Sequence, residues 1–180
     1  MLHRSARPVA VTSAALAVAG LALAAPALAG PGAHVADELV RYGQALPPGA
    51  SAKVHSVETG DGRTLVTLHV KGLQPSTEYG AHAHTNRCGS APLAAGPHFQ
   101  HVLDPVTPSV DPAYANPRNE VWLDLTTNAA GNGHAKAVVD WQFTSERRAR
   151  SVIIHERHTS TGPGSAGVAG ARVACLTVPF

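Results

Sequence analysis

SAKVHSVETGDGRTLVTLHV, residues 51–70, is the stretch from which the architecture is read. Ser51 to Val57 alternates, with Ala52, Val54 and Ser56 on one face. Thr64 to Val70 alternates again, with Val66, Leu68 and Val70 sharing a face against Thr67 and His69. Successive strand residues point to opposite faces, so this period of two predicts two half-buried strands. Gly60-Asp61-Gly62 supplies the turn between them, and the whole stretch predicts a β-hairpin. His55 and His69 fall on its polar faces and are expected at the surface.

The pattern extends in both directions. Upstream, residues 30–50 are rich in Gly, Ala and Pro, with one short candidate strand from Leu39 to Tyr42. Downstream, Val102 to Arg118 is Pro-rich and aperiodic, a loop long enough to suggest function. Asn119 to Thr127 resumes strand character: Val121, Leu123 and Leu125 face one way, Glu120, Trp122 and Asp124 the other. Asn128 to Gly133 turns into His134 to Phe143, followed by strands at Ser151 to Glu156 and Ala171 to Val178. No segment of useful length carries a helical period, and no internal repeat is visible. About eight short strands predict an all-β sandwich or flattened barrel.

Residues 1–29 read as a secretory signal peptide rather than as part of the fold. Arg4 and Arg7 precede the apolar run Val9 to Leu23, and Ala27-Leu28-Ala29 fits an A-x-A cleavage site. A retained membrane anchor is the rival; Pro26 and the small residues before Gly30 argue against it, so no stable membrane insertion is expected after cleavage. The domain is then residues 30–180, secreted or otherwise extracytoplasmic. Taking Arg4 and Arg7 from the 14 basic residues leaves 12, equal to the 12 acidic ones, so the formal charge of +2 falls to zero. No basic block or aromatic-interleaved patch points to nucleic acid. Cys88 and Cys175 are the two cysteines, which in an exported chain read as one disulfide rather than two free thiols. Closing a loop of that length is worth about 4–5 kcal/mol in the chain-entropy account.

The chemistry is concentrated in GAHAHTNRCGSAPLAAGPHFQ, residues 80–100. His82 and His84 on a strand send two imidazoles to one face, about 7 Å apart, within reach of one metal ion. Imidazole suits copper, zinc or nickel. His98 follows Gly96-Pro97, a turn able to bring it back over the pair, and His155 ends the apolar run Ser151-Val-Ile-Ile-His155. Any one of these histidines alone could as readily be a surface or core residue.

Four pieces in order, Gly80-Ala-His82-Ala-His84, Ala95-Gly96-Pro97-His98-Phe99, His155-Glu156 and Ala171-Arg172-Val-Ala-Cys175, resemble the copper/zinc superoxide dismutase family. The resemblance is sharp over residues 80–100 and 151–178 and diffuse between them. It implies an eight-stranded Greek-key β-barrel or sandwich with long functional loops and one disulfide, Cys88 to Cys175. It implies copper held by His82, His84, His98 and His155, with superoxide anion as substrate. Arg172 matches the arginine that draws superoxide in and orients it, and His98 also helps supply protons. The implied reaction is dismutation to dioxygen and hydrogen peroxide, an antioxidant oxidoreductase activity.

Two departures bear on zinc. In zinc-bearing members the counterpart of His98 bridges copper to zinc, with two further histidines and an aspartate behind it. Here His101 alone follows closely, and the next histidine is His134. The stretch from His155 to Arg172 is short, with Glu156 and Arg157 its only charged residues. Both losses resemble the copper-only branch of the family, in which a carboxylate takes over zinc's task of holding the histidine. Glu120 is the candidate, with Asp124 next; the plain alternative for Glu120 is a solvated charge at a strand end. A distorted second metal site drawing on His101, His134 or His158 stays open, as does the oligomeric state, a monomer being slightly favoured. The rival function is a non-catalytic copper-binding or buffering protein of the same fold, which would need the histidines but not Arg172.

Overall fold

The computed structural model describes Met1 and residues 32–180, so the signal-peptide reading of residues 1–29 lies outside the described residues. Among the described residues nine strands form two sheets. They are β1 (Ala33–Glu38), β2 (Val40–Arg41), β3 (Ser51–Glu58), β4 (Thr64–Lys71), β5 (Glu78–His84), β6 (Leu125–Thr126), β7 (Gly133–Val139), β8 (Ser151–His155) and β9 (Arg172–Thr177). One sheet has the order β1-β3-β4-β7 and the other β2-β9-β8-β5-β6, with every pairing antiparallel. A single turn of 3-10 helix, Pro92–Ala95, interrupts the loop after β5. None of the described helices is long and apolar enough to cross a membrane.

The hairpin read from residues 51–70 is β3 and β4, paired from Ser51 opposite Lys71 to Glu58 opposite Thr64. Its inward residues Val54, Val66, Leu68 and Val70 are buried, whereas His55 and His69 stand exposed on the outer face. Inward residues of the second sheet, among them Val152, Ile154, Ala174 and Leu176, close the core against them. At full burial each such Val, Leu or Ile side chain contributes about 1.5–3 kcal/mol, and the alanine less, so the two inner faces hold the sandwich together.

The strand count differs from the sequence expectation in two places. Upstream of Leu39 the chain already forms β1 along the edge of the first sheet; buried Leu39 then separates it from β2, which joins the other sheet. Counted as one bent strand, β1 and β2 restore the number to eight. The expected strand over Asn119 to Thr127 shrinks to Leu125–Thr126, preceded by single bridges from Trp122 to His82 and from Glu120 to Gln100. Val121, Leu123 and Leu125 nevertheless face the core as their alternation predicts. The long loop from Thr85 packs against this segment and replaces a regular ladder with isolated contacts.

Candidate metal centre

His82 and His84 alternate on β5, and His155 sits across the ladder on β8, in register with Gly80. His98 returns from the long loop and bridges to His84. The four offer ligand nitrogens that all lie within 4.8 Å of one another. His82 and His84 are fully buried, His155 nearly so, and the His98 side chain is 18% exposed.

Each ring is turned by a partner on its outward nitrogen. His84 Nδ1 donates to the Gly96 carbonyl at 2.9 Å, and His155 Nδ1 faces the Gly170 carbonyl at 3.4 Å. His98 Nδ1 donates to Glu120 Oε2 at 2.8 Å. His82 Nε2 donates to Thr159 Oγ1 at 2.7 Å, and that hydroxyl donates in turn to Asp124 Oδ1 at 2.7 Å. Such outer hydrogen bonds fix the tautomer and aim the lone pair on the other nitrogen at a metal. His82 Nδ1 is buried with no hydrogen-bond partner, and His84 Nε2 lies 3.4 Å from His155 Nε2. Inward lone pairs this close are unfavourable unless a cation lies among them. The donor set therefore fits a metal ion that prefers imidazole, such as copper or zinc.

Electrostatics keep the donors available. Burial holds His82 and His84 well below the usual imidazole value of 6.5, and pushes His155 down to about 3; His98 and Arg172 act in the same direction. All three rings stay neutral in the folded protein, as metal ligation requires. The stability consequence has a definite sign. Between pH 6.5 and about 3 the unfolded chain binds protons at these histidines that the folded protein does not. Metal-free protein is therefore expected to lose stability as pH falls through that window, and bound metal should raise stability without removing this dependence, because ligation also needs the rings neutral. Melting curves with and without metal, from neutral pH down to acid, check this; a metal-free melting temperature that stays flat would contradict the burial argument.

Two glycines make the site possible. Gly96 has φ 71°, and a Cβ there would lie 2.3 Å from Thr85 Oγ1. This residue's carbonyl receives both His84 and Arg172 Nη2, the latter at 2.7 Å. At Gly80 a Cβ would meet Ala169 Cβ at 2.7 Å and Thr159 Oγ1 at 2.9 Å, so the absent side chain lets the loop carrying Thr159 close on β5.

Arg172 lies across from His155 on β9, half-buried, with Nη1 also donating to the Pro92 carbonyl at 2.9 Å. Its guanidinium is thus fixed rather than free to sweep solvent. Three residues on, Cys175 is joined to Cys88, with Cα atoms 5.8 Å apart, which ties β9 to the loop carrying Gly96 and His98. A groove of about 370 Å³ leads to the cluster, lined by His98, His155, Arg172, Leu103, Val106 and Val168 among others.

The other sequence candidates separate. Glu120 is 1% exposed and backs His98. Asp124 backs His82 through Thr159 and also lies 3.2 Å from His158 Nδ1. His101 stacks on Trp141 with ring centres 5.1 Å apart, and His134 is on the first sheet. Among the described residues, His101, His134 and His158 join no group of three or more donors. Thr159, Trp122 and Gln100 were not singled out by sequence. Trp122 Nε1 donates to Glu120 Oε2 at 2.7 Å and Gln100 Nε2 to Oε1 at 2.9 Å. Trp122 lies between Glu120 and Asp124 on the same face of an alternating segment, a signal that was present, whereas Gln100 lies two residues after His98 in the long loop.

A two-sheet β-sandwich that gathers four imidazoles, three of them buried, beside a fixed arginine defines a protein with a candidate histidine metal site. Residues 50–178 match the family model for copper/zinc superoxide dismutase (SODC), and the chain belongs to that family. The fold is similar to that of a Cu/Zn superoxide dismutase from Brucella abortus, with TM-score 0.56 and 22% identity over 83% of this chain and 99% of that one. It is also similar to the clock protein EA4, with TM-score 0.56 and 20% identity over 82% of this chain and 92% of that one. Family membership and the histidine cluster together support a superoxide dismutase-like function.

Proposed function

We propose that the protein is a copper-dependent superoxide dismutase that acts outside the cytoplasm and uses Glu120 where relatives use zinc. The observation that carries the reading is the orphaned, buried Nδ1 of His82, turned toward three further imidazoles. Copper, when bound there by His82, His84, His98 and His155, supplies the one-electron couple that oxidises one superoxide and reduces the next.

The chain's own residues do the rest. Arg172 places a permanent positive charge beside the groove, attracting a small anion and orienting it. His98, clamped at Nδ1 by Glu120, keeps Nε2 toward the cluster as the atom able to hold a proton for the peroxide product. The export reading is supported by the Cys88–Cys175 disulfide, a bond that persists in oxidising compartments.

Dismutation by copper-loaded protein, with and without added zinc, tests the proposal together with a metal count. Arg172→Ala is the sharper variant. It should retain copper, lose roughly tenfold or more of the rate, and show a weaker dependence on ionic strength, because the steering charge is gone. An unchanged rate would favour copper buffering over catalysis.

A further inference from the structure

We propose that the outer face of the four-stranded sheet binds borderline divalent cations such as Cu2+, Ni2+ or Zn2+ at two cross-strand histidine pairs, one ion per pair. The pairs are His34 with His55 and His69 with His134. His34 and His55 are directly opposite each other on β1 and β3, and His69 and His134 directly opposite on β4 and β7. All four side chains are exposed. Four of the ten histidines beyond residue 29 thus sit on one face as two matched pairs.

The geometry suits a shared ion. Ring centres are 5.5 Å apart in the first pair and 6.1 Å in the second. With metal–nitrogen bonds of about 2.0–2.1 Å, two imidazoles on one ion have centres roughly 4.5–6.4 Å apart. Within the buried cluster the corresponding separations run from 4.1 to 5.8 Å, so the first surface pair falls inside that range and the second just beyond it. In directly opposite residues of an antiparallel ladder the backbone holds the Cβ atoms about 4.5–5.5 Å apart, so the two rings start close to each other. The two pairs are also continuous: His55 is opposite Thr67 and Lys53 opposite His69, which makes His55 and His69 diagonal neighbours.

The surroundings set the strength. Lys53, Lys71 and Lys136 alternate onto the same face, with Glu38 at its corner. Their positive charge opposes a cation, and two imidazoles leave the remaining positions to water. Binding is therefore weak and exchangeable, unlike retention at a four-histidine centre. The sheet that carries the pairs supplies none of the four clustered histidines, so the two kinds of site are independent.

Calorimetric titration with Cu2+ tests this on the full chain whose buried centre has first been filled with copper. Two further equivalents are expected. His55→Ala should remove one, His69→Ala the other, and the double variant both, with melting temperature and dismutation rate unchanged. Lys53→Gln, with both histidine pairs intact, should tighten binding. No uptake at millimolar Cu2+ would overturn the proposal, and so would uptake that the double variant leaves intact.

Discussion

Replacing His84 by alanine is expected to leave the protein essentially without copper and without dismutase activity. Its ring is wholly buried, stands 4.8 Å from that of His98 and 5.6 Å from that of His155, and donates to the Gly96 carbonyl. Loss of the outer partner of a metal ligand already weakens binding roughly 10–100-fold, so loss of the ligand itself should cost at least the upper end of that range. The same change frees the Gly96 carbonyl from one of its two donors and loosens the anchor of Arg172. Metal content by mass spectrometry and a dismutation assay read the two effects separately. Circular dichroism of the metal-free variant distinguishes lost ligation from lost folding. Normal copper content with normal activity would refute the assignment of the cluster.

The elements that were legible in the sequence are those whose burial follows a simple period. Val54, Val66, Leu68 and Val70 alternate strictly, so the hairpin and its buried face could be read directly. β1 could not, because in Ala33–Glu38 only Ala33 is fully buried; an edge strand with little to bury has little pattern to show. The His-x-His pair was visible because its spacing is itself strand geometry. Thr159 was not, since it lies in an aperiodic loop and matters only through the contact that Gly80 permits.

Glu120 shows where alternation misleads. Val121, Leu123 and Leu125 point into the core, so Glu120, Trp122 and Asp124 are assigned the polar face, which for an exposed sheet means solvent. Alternation reports which side a residue takes, not what covers that side. Here the loop bearing His98 and Gln100 returns over it, and the polar face becomes the support of the metal centre. A carboxylate that is 1% exposed and accepts three N–H groups is a built interior feature.

That arrangement leads to the second large expected effect. Glu120→Gln should lower dismutation by roughly 10–100-fold, the usual cost of losing a partner behind a metal-bound histidine, while copper content falls much less. In the native site Oε2 accepts from His98 Nδ1 and Trp122 Nε1, and Oε1 accepts from Gln100 Nε2. A glutamine amide can supply only one oxygen. If it faces His98 and Trp122, its NH2 meets the NH2 of Gln100, donor against donor. Gln100 cannot relieve this by turning, because its Oε1 already accepts from the Asp104 N–H and its Nε2 donates to Ser109. If the amide turns instead, its NH2 faces His98 Nδ1, and the ring loses the acceptor that keeps Nε2 aimed at the cluster. A buried donor without an acceptor costs about 1–3 kcal/mol, so either orientation loosens His98. The first step of the cycle should suffer less than the second, in which His98 must hold its aim while delivering a proton. Pulse radiolysis, which resolves the two half-reactions, would show this asymmetry. Added zinc should not rescue the variant, since among the described residues no second group of three or more His, Cys, Asp or Glu donors lies beside His98 to hold it. Stoichiometric zinc on the native protein beside His98, or a fully active Glu120→Gln enzyme, would end the idea that this carboxylate does zinc's work.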